Sequence, residues 1–206
     1  METLDTYLTQ LASSSATPGG GSAAMFVAAT GCALLAMVCR ISAANPKFTD
    51  RREAAERLVA EADALRTELI GARERDERAF DAVVDAQRLP KENDAQKTAR
   101  GIALEHALQH AAEVPLQLAA RVLHALQLLE EALSIENKNL LSDLGCAAEF
   151  CHAAIRSCAY NVRINHKYMK SAGSIAPQTQ ALARLETEAD ERLERIRTAV
   201  EEGSLS

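Results

Sequence analysis

Residues 23–39, AAMFVAATGCALLAMVC, decide what kind of protein this is. The run is apolar enough to pass for a membrane span. Yet its 17 residues sit at the short limit for a bilayer crossing, and they are mostly Ala, Gly and Thr rather than Leu. No second span follows, so the stretch reads as a central helix buried inside a helical core. The rest of the composition agrees. Of 206 residues, 48% are hydrophobic but only 3% aromatic, with no Trp, so the interior must be built from Ala, Leu, Val and Ile. Pro and Gly are few and strand-type alternation is missing. The expectation is an all-α fold: one domain over residues 1–206, a bundle of long helices.

Working outward, residues 13–26 read SSSATPGGGSAAMF, three glycines placed directly before the apolar helix. Such a run can cradle an anion, let two backbones approach, or simply turn. It lacks the Lys-Ser/Thr of a phosphate-binding loop, which excludes nucleotide binding by that route. A Gly-rich turn entering a helix still presents backbone N–H groups suited to a carboxylate or phosphate. Ser22 has the plainer reading of an N-cap. Further upstream, METLDTYLTQ is acidic and amphipathic, unlike a signal peptide, and carries a first helix over Leu4–Ala12.

Downstream, Pro46 in SAANPKFTD stops the buried helix near Ile41, and Thr49 or Asp50 can cap the next. That helix runs from Arg51 to Leu89, with a possible interruption at Gly71. Its stripe is Leu58, Ala62, Leu65, Leu69, Ala72, Asp76, Phe80 and Val83, in steps of three and four. Asp76 is a carboxylate where the pattern asks for an apolar side chain. After a break at Pro90, the stripe resumes as Leu104, Leu108, Ala111, Pro115, Leu118, Val122, Ala125 and Leu129, with a kink expected at Pro115. Beyond the turn SIENKNLLSD, a helix ending near Lys170 carries Leu144, Ala148, Cys151, Ile155, Cys158 and Val162. A last helix begins after Pro177. Helices this long with broad apolar faces point to a homodimer.

A net charge of −6, with basic residues scattered among acidic ones, excludes a nucleic-acid partner. The five cysteines form no CxxC pair. Cys32/Cys39 and Cys151/Cys158 each share a helix face, as buried, reduced thiols of a cytoplasmic protein would. His106/His110 and Glu149/His152 are at helical spacing, but two Glu-x-x-His motifs and further glutamates would be needed for a di-iron bundle, and zinc lacks a third ligand. No metal is expected. Asp76 has two readings: an edge carboxylate that still reaches water or an Arg, or a partly desolvated acid whose raised pKa suits proton transfer near neutral pH. Asn161 and Asn165, four apart near an apolar face, need partners, and a bound ligand is one.

With those residues in view, the chain resembles the cyclodeaminase/cyclohydrolase family of folate one-carbon enzymes. TPGGGSAA (17–24), RDERAFDAVVDAQRLPK (75–91), AAEVPLQLA (111–119), NKNLLSD (137–143) and AYNVRINHK (159–167) match in order along nearly the whole chain. The resemblance implies an all-helical dimer acting on a tetrahydrofolate derivative, polyglutamylated or not, without metal or redox cofactor. The activity would be that of a cyclodeaminase (an ammonia-lyase) or a methenyltetrahydrofolate cyclohydrolase. It implies that Asp76 is the catalytic proton donor and that Gly19, Gly20, Gly21 and Ser22 line the folate cleft. Asp143, Asn161 and Asn165 would orient the pterin, and Lys47, Arg88, Lys91, Arg163 and Lys167 would meet the glutamate tail. Two departures stand out: a basic run after the buried helix is reduced to Lys47 and Phe48, and Glu136 replaces a Gly before NKN. A non-catalytic folate-binding or interaction dimer is the alternative from another class.

Overall fold

The computed structural model describes residues 3–204, and among them there are six α-helices and no strand. They are α1 (Leu4–Leu11), α2 (Gly20–Ala44), α3 (Arg52–Arg88), α4 (Asp94–Ala132), α5 (Leu141–Tyr168) and α6 (Ala172–Ser204). Short connections make α2 to α5 run up and down alternately. α2 packs on α3 and α5, α4 closes the ring against the same two helices, and α6 lies over α4 and α5.

α2 is, among the described residues, the one helix long and apolar enough to cross a membrane, yet most of it is core. Met25, Ala28, Cys32, Leu35 and Cys39 are wholly out of solvent. Each large side chain buried this way stabilises the fold by about 1.5–3 kcal/mol. Gly31 lets α5 come close: a methyl group there would lie 2.8 Å from Cys151 Sγ and 2.9 Å from the Ala147 carbonyl. The helix ends at Asn45, whose side chain accepts from Lys47 N–H and starts a 3₁₀ turn over Pro46–Arg51.

α3 runs unbroken through Gly71, against the expected interruption. One exposed glycine costs about 1 kcal/mol, and the buried stripe of Leu65, Leu69 and Ala72 on either side outweighs it. Neither Thr49 nor Asp50 caps this helix; the Thr49 hydroxyl donates to the Pro46 carbonyl within the 3₁₀ turn instead. α4 opens with a reciprocal Asn93–Gln96 capping box and continues through Pro115. α6 begins five residues ahead of Pro177, because Ser171 receives the Ser174 N–H on its hydroxyl and the Ile175 N–H on its carbonyl.

Four cysteines are buried as read from sequence; Cys146 is exposed, and all five are free thiols. Polar α6 is fastened by ion pairs. Glu130 holds Arg192 and Arg195, Glu149 holds Arg197 at 2.7 Å, and His152 meets Asp190 at 2.6 Å. Glu149 and His152 therefore face α6 rather than a shared metal position. Glu136 adopts a left-handed conformation (φ 58°, ψ 29°), which explains why a glycine would suit that place.

Candidate active site

The alternating helix directions bring together the start of α2, the second half of α3, the first half of α4 and the end of α5. There they enclose a cleft of about 290 Å³, whose lining includes Gly19, Gly20, Gly21, Asp76, Asn161 and Asn165. Six of the residues singled out from sequence, drawn from three separate motifs, thus meet at one place. The volume lies near the lower edge for small-molecule sites, suited to a ring system more than to an extended ligand.

Asp76 is half-buried on α3 with its carboxyl laid against the first turn of α2. The contact explains Gly21: a methyl group on it would come within 2.5 Å of Asp76 Oδ1 and Cγ, and closer still to Oδ2. Gly20, by contrast, faces open space. Burial pushes the Asp76 pKa above its ordinary 3.8, the charge of neighbouring Glu77 adds to the rise, and a hydrogen bond from the Ser22 backbone N–H opposes it. The balance is upward. A carboxyl held by a helix N-terminus yet partly desolvated keeps its proton to higher pH than a free carboxylate, which suits it to proton transfer. Cys158 lies near enough to feel this charge. Burial, then Asp76, pushes its thiol up to about 12, so it stays protonated and is no nucleophile at neutral pH.

Ser22 is not the N-cap; Gly19 is, and Ser22 stands three residues further on, within the first turn of α2 and fully buried. Its hydroxyl meets the Tyr7 hydroxyl at 3.2 Å. Tyr7 is itself buried, stacked on Phe26 with ring centroids 5.2 Å apart and covered by the Arg73 guanidinium at 4.4 Å. α1 is thereby pinned over the glycine turn.

Asn161 Nδ2 donates to the Ser157 carbonyl, and Asn165 Nδ2 to the carbonyls of Ala111 and Asn161. These bonds fix the amides, since an oxygen cannot replace a nitrogen opposite a carbonyl. The walls between are apolar: Phe80, Val83, Leu108, Ile164 and Tyr168.

Other residues expected at the site lie elsewhere. Lys47 follows the C-terminal end of α2, and a helix of 25 residues separates it from the glycine turn by roughly 37 Å. Asp143 stands in the first turn of α5, the end remote from Asn161 and Asn165. Arg163 turns away to α6, where it and Arg156 hold the buried Glu186 at 2.5 and 2.8 Å. The NKN turn is likewise at the far end, where buried Asn137 donates to Ser42. Arg88, Lys91 and Lys167 are at the cleft end but exposed and outside its lining; Arg88 is 3.4 Å from Asp85, and Lys167 lies 5.7 Å from the ring of cleft-lining Tyr168.

Sequence reasoning missed Glu77 and Tyr168, and it placed Phe80 in the core. Phe80 is 42% exposed and forms a wall of the cleft one turn beyond Asp76. Its position in the stripe next to the misplaced carboxylate was the available signal.

Comparison with known proteins gives consistent neighbours. The profile of the family described as formiminotransferase-cyclodeaminase matches residues 3–184. A methenyltetrahydrofolate cyclohydrolase of Methylorubrum extorquens is 36% identical over 195 residues, 95% of this chain and 94% of its own length. A formimidoyltransferase-cyclodeaminase of Mus musculus is 34% identical over 163 residues, 79% of this chain but 30% of that longer protein. Among solved structures, formiminotetrahydrofolate cyclodeaminase from Thermotoga maritima superposes with a TM-score of 0.87 at 27% identity, covering 97% of this chain and 96% of the other.

Proposed function

This chain belongs to the formiminotransferase-cyclodeaminase family, and on that footing we propose that it is a folate one-carbon enzyme working at the carbon between N5 and N10 of tetrahydrofolate. The observation that carries the proposal is the raised, half-buried Asp76 carboxyl, seated on Gly21 and open to an apolar-walled cleft.

In the cyclodeaminase direction, N10 of 5-formiminotetrahydrofolate attacks the formimino carbon and gives a tetrahedral centre bearing an amino group. Asp76, protonated, delivers its proton to that nitrogen, and ammonia departs. The carboxylate left behind favours the 5,10-methenyl cation electrostatically. In the cyclohydrolase direction, ionised Asp76 takes one proton from water as the oxygen adds to the methenyl carbon, then returns it to N5 as the C–N5 bond breaks; the remaining hydroxyl proton leaves to solvent as the formyl C=O of 10-formyltetrahydrofolate forms. Both reactions pass through one carbon flanked by two nitrogens, so one acid/base group serves either. The free-standing cyclohydrolase, matched over 94% of its length, makes hydrolysis the first reaction to assay.

In this reading, the Gly19–Gly21 turn, Asn161 and Asn165 hold the pterin, Phe80 and Tyr168 flank it, and exposed Arg88, Lys91 and Lys167 meet the glutamate tail outside the cleft. Neither reaction calls for a metal or redox cofactor. We extend the proposal to a homodimer in a reducing, cytoplasmic setting, with α2 contributing Val27 and Ile41, large apolar side chains on its exposed face.

The test follows the near-ultraviolet absorbance of the methenyl chromophore from two starting points. Growth of the band from 5-formiminotetrahydrofolate above the uncatalysed rate identifies the cyclodeaminase; accelerated loss from 5,10-methenyltetrahydrofolate alone identifies the cyclohydrolase. No acceleration in either, with the protein folded, would replace the enzyme by a non-catalytic binding protein.

A further inference from the structure

Pro115 on α4 and Asn165 on α5 complement each other across the helix seam. Proline has no N–H, so the Ala111 carbonyl four residues earlier lacks its helical donor, and the ring crowds that carbonyl away from the axis. Asn165 supplies the missing bond. Its Nδ2 donates to the Ala111 carbonyl at 3.0 Å and to the Asn161 carbonyl at 2.8 Å. Both amide protons are therefore engaged by carbonyls, one on each helix. Flipping the amide would set its oxygen against two carbonyl oxygens, so the group is held in one orientation. Ala111, Asn161 and Asn165 all line the cleft, while Pro115 is buried in α4 outside that lining.

We propose that Pro115 is a positioning residue: by freeing the Ala111 carbonyl it locks the Asn165 amide, so that Oδ1 meets the cleft as a hydrogen-bond acceptor for a ring N–H of the reduced pterin. An unlocked asparagine can rotate to serve either a donor or an acceptor. The locked one accepts only, and an analogue presenting a lone pair at that point meets an unpaired oxygen, a strong basis for rejection. The proposal rests on the folate reading above for the identity of the N–H donor. The lock itself is independent of it.

Pro115→Ala restores a helical N–H that competes for the Ala111 carbonyl. The variant should melt at the same temperature as wild type or higher, because alanine is the better helix former. Its KM for 5,10-methenyltetrahydrofolate should rise about three- to tenfold, the scale of one hydrogen bond, with kcat within about twofold. Adding Pro115→Ala to Asn165→Ala should change nothing further. An unchanged KM, or effects of the two substitutions that multiply, overturns the proposal, as does a drop in melting temperature with kinetics intact, the mark of a purely structural proline. A second readout needs no substrate. In ¹⁵N-labelled wild type, the Asn165 side-chain amide protons, assigned by their loss in Asn165→Ala, should exchange at least about tenfold more slowly than an exposed amide. Fast exchange in wild type overturns the lock, whether or not Pro115→Ala folds. Slow exchange in a protein inert towards both folates would preserve the lock and overturn the pterin assignment together with the folate reading.

Discussion

At the scale of the residue, Asp76 is disfavoured as an ion by the fold that contains it. Burial and the Glu77 charge raise its pKa above 3.8, so the folded chain holds that proton over a range where the unfolded chain has released it. Below the ordinary value both states are protonated and the group has no net effect. As pH rises, the unfolded state ionises first and the folded state loses relative stability, until pH passes the raised value and the loss is complete. Asp76→Asn should therefore be more heat-stable than wild type at neutral pH, with the gain fading as pH falls through the raised value and gone below the ordinary carboxylate one; thermal melts across that window check it. The two neighbouring glycines should behave differently. Gly21→Ala puts a methyl group into the carboxyl's position and should lower turnover at least about tenfold. Gly20→Val, facing open space in the cleft, should raise KM and leave kcat near wild type. Steady-state kinetics on both variants separate the roles.

At the scale of the element, the helices were largely readable because each presents a continuous apolar face in steps of three and four. All six α5 positions from Leu144 to Val162 that the spacing selected are buried. Asp76 was visible for the same reason, as a break in such a face. Phe80 was not, because spacing assigns a residue to a face but cannot say whether the neighbouring helix covers that face or leaves a cleft. Asp143, Lys47 and Arg163 were grouped with the site by motif; chain direction separates the first two from it, and the buried Glu186 diverts the third. The Ala111–Asn165 bond was beyond reach, since nothing in a sequence pairs a proline on one helix with an asparagine on another. The helix seams also carry a stability expectation. Gly31→Val would force α2 away from the Ala147 carbonyl on α5, and overpacking of this kind should cost about 1–3 kcal/mol in urea denaturation. Glu136→Gly relieves a left-handed backbone and gives up only an exposed ion pair with Arg51, so a gain of about 0.5–1 kcal/mol is expected.

At the scale of the whole molecule, the bundle sorts its tasks by end. The end holding the α2 N-terminus contains the cleft, Asp76 and the two asparagines. The opposite end contains the NKN turn, Glu136 and the Asn137–Ser42 bond, and it closes the core. Motifs from both ends match the family, so motif membership alone does not distinguish residues of the site from residues that hold the helices in register. The proposed enzyme needs only the first set for chemistry. The most direct measurement is the rate of methenyl absorbance change for wild type beside Asp76→Asn, with circular dichroism confirming that both are folded. The expected result is catalysed turnover by wild type and a loss of about a hundredfold or more in the variant, the scale of a missing acid/base group. A variant within a few-fold of wild type would contradict the central role given to Asp76.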